Sequence, residues 1–309
     1  SMANAQSVDT LRKEVRAQIV DKFPSRRNFN FEYEQLGSGS YKPEFRDGST
    51  GDNRITDHYR FSAALNLPLY KKGPWTVSVT GRYKYESFEI TDAQNNNASL
   101  FTKSDFQLFS GSLNTAYLSR LFGKVVIYSG SVIADASDEH LGRIKGFGTV
   151  TMILKSTKNT TVTVGIVGVI DPASPFPALP VFSYLHRFEN SEWSMDLILP
   201  QRLMFKRRLL ENGRISIGTE MESEQLYVNL NRPDLRNVYD YRQSELKSGI
   251  LYEYCIAKNL IASFKGGISN TLISKVTAKG ESTNDYLFKT RQNGTGYFNI
   301  GLSFNPFSK

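Results

Sequence analysis

From Trp75 to Glu86 the set Trp75, Val77, Val79, Gly81, Tyr83 and Tyr85 alternates with Thr76, Ser78, Thr80, Arg82, Lys84 and Glu86. A period of two sorts these residues onto the two faces of a strand, whereas a helix would scatter both sets around its circumference. Tyr59, Phe61, Ala63, Leu65, Leu67 and Leu69 alternate likewise with Arg60, Ser62, Ala64, Asn66 and Pro68, and Phe298, Ile300, Leu302 and Phe304 alternate with Asn299, Gly301, Ser303 and Asn305. The pattern predicts strands at 28–36, 54–70, 75–90, 105–122, 124–138, 146–158, 160–171, 180–188, 192–199, 202–210, 213–230, 243–258, 260–276 and 294–306. That makes about fourteen strands. Pro180 and Pro200 interrupt the short ones between 180 and 210, which leaves twelve or sixteen open.

The connections alternate in length. After odd-numbered strands they are mostly long and polar: Gly37 to Asn53, Thr91 to Ser104, Glu139 to Lys145, Asp171 to Leu179, Asn231 to Arg242 and Thr277 to Asn293. After even-numbered strands they are tight: Lys71-Lys72-Gly73-Pro74, Gly123, Asn159, Asn190-Ser191, Glu211-Asn212 and Asn259. Pro200-Gln201 is short where a long connection is due. Such parity predicts an all-β fold, a single transmembrane antiparallel up-and-down barrel with short periplasmic turns and long external loops. A β-sandwich has no reason to show it. No stretch approaches the roughly 18 apolar residues of a membrane-spanning helix, which excludes a helical membrane protein and leaves a barrel untouched.

If the large apolar side chains meet lipid, the alternate face lines the lumen. It contains Glu32, Glu34, Arg60, Arg82, Lys84, Glu86, Arg202, Lys206, Arg208, Glu220, Glu222, Glu245, Lys247 and Glu253, with Asn30, Asp196 and Lys265 beside them. Lys or Arg on the lipid face near the midplane costs about 2–4 kcal/mol, so their confinement to one face is a demanding requirement. Arg187 and Arg207 break it and are expected to snorkel at an interface. Trp75 and Trp193 each open a strand after a short turn, the place of a periplasmic aromatic girdle. Val79 and Leu302 are expected to face lipid, and Ser78 and Ser303 the lumen.

Residues 1–6 read as a cloning scar, Ser1-Met2, and the small-x-small remnant of a signal-cleavage site, Ala3-Asn4-Ala5. Within 7–27, Val8, Leu11, Val15 and Ile19 fall at helical spacing and Pro24 follows as a stop, which predicts an amphipathic segment serving as a periplasmic lid or plug. Residues 28–309 form the barrel.

Two stretches carry resemblances. The aromatic-rich tail from Gly296 to Phe307 resembles the assembly signal of outer-membrane barrels, with Phe304 and Phe307 as its anchors, although Ser308 and Lys309 follow. The start, Phe23-Pro24-Ser25-Arg26 and Phe29 to Glu34, is similar to an uncharacterised barrel family of Bacteroidota, a domain of unknown function. The resemblance implies the outer membrane of a Gram-negative, Bacteroidota-like bacterium and the barrel assembly machinery as a partner. It implies no activity.

Composition adds little chemistry. One cysteine, Cys255, permits no intrachain disulfide, and no Cys/His cluster offers a metal site. His58, His140 and His186 stand in no nucleophile signature, and Asp57 and His58, adjacent on a strand, point to opposite faces unless a bulge intervenes. Glu220 and Glu222 lie about 7 Å apart along one strand face, within the range of acid/base pairs, but opposed cations on the same face suit cross-linking better. No catalytic residue, metal or cofactor is assigned. The net charge of +8 is spread among acids, so lipid and lipopolysaccharide phosphates are the expected partners, and nucleic acid is not.

The function expected is a narrow or plugged channel for small solutes. A structural or assembly component that binds another envelope protein is the alternative, and a lipid-modifying enzyme the third. Neutralising Arg82 and Lys84 is expected to open the lumen. The chain should resist extraction by carbonate or high salt and come out only in detergent; release of the full-length protein without detergent would overturn the membrane-spanning reading.

Overall fold

The structure, a computed structural model, describes residues 23–92, 100–138, 140–171, 174, 176–230 and 238–305. After a 3-10 turn at Pro24–Arg26 come β1 (Phe29–Leu36), β2 (Gly39–Phe45), β3 (Asn53–Lys72), β4 (Trp75–Asp92), β5 (Asp105–Leu121), β6 (Lys124–Ser137), β7 (Leu141–Ser156) and β8 (Thr160–Ile170). They are followed by β9 (Ala178–Arg187), β10 (Trp193–Leu199), β11 (Arg202–Leu209), β12 (Gly213–Asn229), β13 (Val238–Ala257), β14 (Leu260–Ala278), β15 (Tyr286–Gln292) and β16 (Thr295–Phe304). Each strand from β3 to β14 pairs antiparallel with its sequence neighbours, β14 pairs with β16, and β1 closes the ring by pairing with both β16 and β3. β2 prolongs β1, and β15 prolongs β16, past short breaks. Counted as interrupted staves, they leave a closed antiparallel barrel of fourteen.

Two expected loops are therefore partly wall. The segments 37–53 and 277–293 contain β2 and β15, which pair with each other above the β1–β16 seam. Polar sequences such as Gly39–Phe45 hid them, because above the bilayer an outward side chain meets water and the alternation loses its contrast. β7 starts at Leu141 and β13 at Val238 for the same reason, both earlier than the pattern marks. β10 and β11 are the shortest of the transmembrane staves, seven and eight residues, and Pro200-Gln201 joins them at a low external rim. The β5–β6 turn at Phe122-Gly123 holds both central residues at positive φ, the geometry that matches the twist of a two-residue hairpin.

The outer wall carries a continuous apolar belt. Leu67, Val79 and Leu113 lie in register across β3, β4 and β5, and Phe31 and Leu302 across β1 and β16. Rings mark the belt's two edges. On the short-turn side Trp75 packs on Tyr117 at 4.7 Å and Phe29 on Phe304 at 6.1 Å, and Trp193 faces out opposite Arg207. Tyr33, Tyr59, Tyr85 and Phe298 form a chain of rings nearer the external side. Arg207 sits at the periplasmic rim on Glu192, 3.0 Å away, whereas the register turns Arg187 inward beside Ser194, so only the first of the two faces out.

Above the bilayer the inward face changes character. On β4 it passes from Glu86 to Phe88 and Ile90, on β12 from Glu224 to Leu226 and Val228, and on β13 from Gln243 to Tyr241 and Tyr239. These side chains join Tyr41, Ile55, Phe101, Phe106, Leu230, Val276 and Phe288 in a buried apolar cap. The cap requires β12–β14 to bend across the lumen, and they do so at an in-register row of Gly218, Gly249 and Gly267. A Cβ at Gly249 would stand 2.1 Å from the Gly266 carbonyl oxygen, so the strands approach only because side chains are absent. The main-chain N–H of Thr102 donates to Asn229 at 3.0 Å and fastens the bent edge to the β4–β5 connection.

Leu302 is 43% exposed on the lipid face, while Ser303 is 1% exposed and holds Asn30 and Arg27, so Ser303 lacks the room that its lumenal position suggests in sequence. Ser131 is inward and partly open. Leu302→Arg should destabilise the barrel by about 2–4 kcal/mol, while Ser131→Arg should leave folding, read as heat-modifiable migration on gels, close to wild type.

Candidate functional site

Inward rows from β1, β3, β4 and β12–β14 converge on one sector of the lumen, where Arg60 is the hub. Its guanidinium donates to both oxygens of Glu245, at 2.9 and 2.6 Å, to Glu86 at 2.8 Å and to Glu34 at 3.1 Å. Lys247 donates to both oxygens of Glu34 and to Glu222, each at 2.7 Å. Lys84 joins Glu86, 2.8 Å away, to Glu224, and Lys265 joins Glu222, at 2.9 Å, to Glu220. The network holds four of these cations and six carboxylates. Arg60, Glu245 and Lys247 are 5%, 0% and 1% exposed, so these ions have exchanged hydration for one another.

A second group is richer in cations. Arg27 and Arg214 share Glu253 toward the short-turn end, and Arg202, in register with Glu220, and Lys206 approach Asp196 at 3.2 and 3.0 Å. Arg208 lies in register with Arg214, and the Phe23 ring reaches Arg202 at 5.2 Å, which places Phe23 inside the barrel. Arg82 points inward between Ala64 and Ser110, one rung from Thr80, whose hydroxyl donates to Asn66 at 2.8 Å, while Asn66 donates to the Arg27 carbonyl at 2.7 Å and so holds the turn that carries Arg26 beside this row. Neither Arg82 nor Arg26 makes an ion pair among the described residues.

The opposite wall carries no charge at mid-height. Ser112, Ser129, Ser131, Thr149, Thr151 and Thr163 point inward from β5–β8, interspersed with Ile127, Ile133, Phe147 and Val167, each partly exposed, so that space remains in front of them. Higher up, a polar latch ties this wall to the outside of the cap. Tyr227 donates to Asp135 at 2.6 Å, Lys145 to Gln225 at 2.6 Å, and Arg143 bridges Asp171 and Asp240. Burial, with the carboxylate of Asp135 as its acceptor, pushes the Tyr227 phenol well above its ordinary range, so it remains a donor.

Glu32 faces in and accepts from Asn30 at 2.6 Å and from Asn299 at 3.3 Å. A bulge between Thr56 and Tyr59 turns His58 inward to Glu86 at 2.8 Å and leaves Asp57 exposed at positive φ, so the two make no acid/base pair. Phe304 lies on the outer wall, while Phe307 and residues 1–22 fall outside the described residues. Sequence reasoning overlooked Glu224, Arg26, Arg27, Arg214 and the latch. Glu224 continues the Glu220, Glu222 row and was legible by the same period, whereas the latch joins strands from opposite walls and leaves no local mark.

Removing one partner of a buried pair leaves the other charge without compensation. Arg60→Gln or Glu245→Gln should each cost about 3–5 kcal/mol, and the double variant should fall short of the sum by more than about 1 kcal/mol, as read from urea unfolding in vesicles.

No curated protein matches the chain. Among solved structures it is similar to the KdgM porin, at 6% identity and a TM-score of 0.32 over 90% of this chain and 98% of that one. It is similar also to an outer-membrane channel from Pseudomonas putida F1, at 8% identity and 0.39 over 89% and 94%, and to the outer-membrane protease OmpT from Escherichia coli, at 10% and 0.33 over 90% and 97%. The family model described as Domain of unknown function (DUF6268) matches residues 13–305, and the chain belongs to that family.

Proposed function

We propose that this barrel is a narrow outer-membrane channel for small solutes. One observation carries the reading: the inward residues of one wall are buried in one another's ion pairs, while those of the facing wall, Ser112 to Thr163, stay open. The charged sector and the cap above it occupy part of the bore, and the hydroxyl-lined sector is the space through which a solute passes. Hydroxyls and small side chains offer hydrogen bonds without a deep energetic trap, which suits passage better than retention.

A catalytic role finds less support. Lys265 lies between Glu220 and Glu222 and neutralises the carboxylates that an acid/base mechanism would need.

In planar bilayers the intact protein should show small conductance. Lys84 and Glu224 tie β4 to β12, the two ends of the charged sector, so the paired change Lys84→Gln with Glu224→Gln should raise it. Arg82 is no member of the network, and neutralising it alone should not widen the bore, contrary to the expectation from its place in the Arg82, Lys84, Glu86 row. A large steady conductance unaffected by the paired change would point to a general porin, and none in any variant to a structural role.

A further inference from the structure

The two ends of the lumen differ in sign. The external network has fewer cations than carboxylates, whereas Arg26, Arg27, Arg82, Lys206, Arg208 and Arg214 crowd the other half. Asp196 and Glu253 already accept from two cations apiece. Arg26, Arg82 and Arg208 are the remainder, exposed and without an ion pair among the described residues, and of these Arg26 and Arg82 lie near one another, linked through the hydrogen bonds of Asn66 to the Arg27 carbonyl and of Thr80 to Asn66. Like charges held together inside a low-dielectric wall repel, and an anion relieves them.

The geometry points to an anion-binding site between Arg26 and Arg82, suited to a small solute that carries carboxylate or phosphate groups. A guanidinium offers paired donors that match the two oxygens of such a group. Ala64 and Ser110, the flanking residues on β3 and β5, are too short to cover the Arg82 head. One rung further toward the periplasm Thr80 and Ser112 face each other, their hydroxyls taken up by Asn66 and Asn114, so the two guanidinium groups are the donors left for the anion. This inference names the solute class of the proposed channel and rests on that reading only for passage, because binding can be measured without it.

The test uses the full chain in detergent and in planar bilayers, with citrate and inorganic phosphate as probes. Calorimetry should show binding of at least one: citrate alone assigns the site to carboxylates, phosphate alone to phosphates. Arg82→Gln and Arg26→Gln should each weaken it about tenfold, with native heat-modifiability as the control for folding. Arg82→Lys should recover part of the affinity, because the charge returns without the fork. Under a KCl gradient the reversal potential should indicate anion preference, reduced in both glutamine variants. Binding without conductance in any variant would sustain the site and remove the channel. Conductance without anion preference, with no binding or with binding indifferent to both substitutions, would sustain the channel and overturn the site. Absence of both would overturn both.

Discussion

Arg60 has to be neutralised where it stands, and much of the lumen is arranged around that requirement. Its fork faces Glu245 from four staves away around the ring, with Glu34 and Glu86 taking its other donors. Each acid then needs a share of a further cation, which draws in Lys247 and Lys84, and through Glu222 also Lys265. A barrel of this size does not fill itself with side chains, as an eight-stranded one does. Long charged residues reach toward one another across the space, and their pairing fills one sector of the tube.

The external cap follows from the same arrangement. Once β12–β14 lean inward at the glycine row, their inward side chains above the ion pairs face those of β3–β5 at packing distance. Water is excluded there, and the residues that fit are apolar: Phe88 against Phe106 at 5.1 Å, with Leu226, Val228 and Tyr241 in the same cluster. The lumen is thus layered, with an apolar cap at one end, an ionic layer in which carboxylates outnumber cations beneath it and a cation-rich vestibule toward the short turns. Each layer lies on the same inward face of the same strands.

Strand phase was legible because lipid enforces it: a misplaced charge on Val79, Leu113 or Leu302 is costly, and the sequence keeps those positions apolar. The lumenal face was legible by subtraction. What failed was the upper structure, for two reasons. β2 and β15 have water on their outer side and lose the contrast that marks a strand. The cap keeps the phase but swaps the residue type, Glu86 to Phe88 and Glu224 to Leu226, so a search for inward charge ends where the inward face continues. Arg82 shows the limit of pattern at the site itself. It shares a row with Lys84 and Glu86, yet its neighbours across the strands are Ala64 and Ser110, while Glu86 has Arg60 beside it and Lys84 reaches Glu224 across the lumen.

The uneven height of the wall connects these features. At the usual tilt, the seven residues of β10 rise about 18 Å, less than the apolar band of about 25 Å that such barrels present, whereas β12 beside its partner β11 continues to Asn229. The cap is built from β2–β5 and β12–β15 with the connections at Phe101 and Leu230, and the latch from β6, β7, Asp171, β12 and β13. Among the described residues neither draws on β9, β10 or β11. The external ends that nothing ties down are therefore those next to the hydroxyl-lined wall, and the open sector of the lumen and the low rim fall on the same side of the barrel. Filling one side of a tube with ion pairs and capping it leaves the other side to set the bore, which gives a wide barrel a narrow passage.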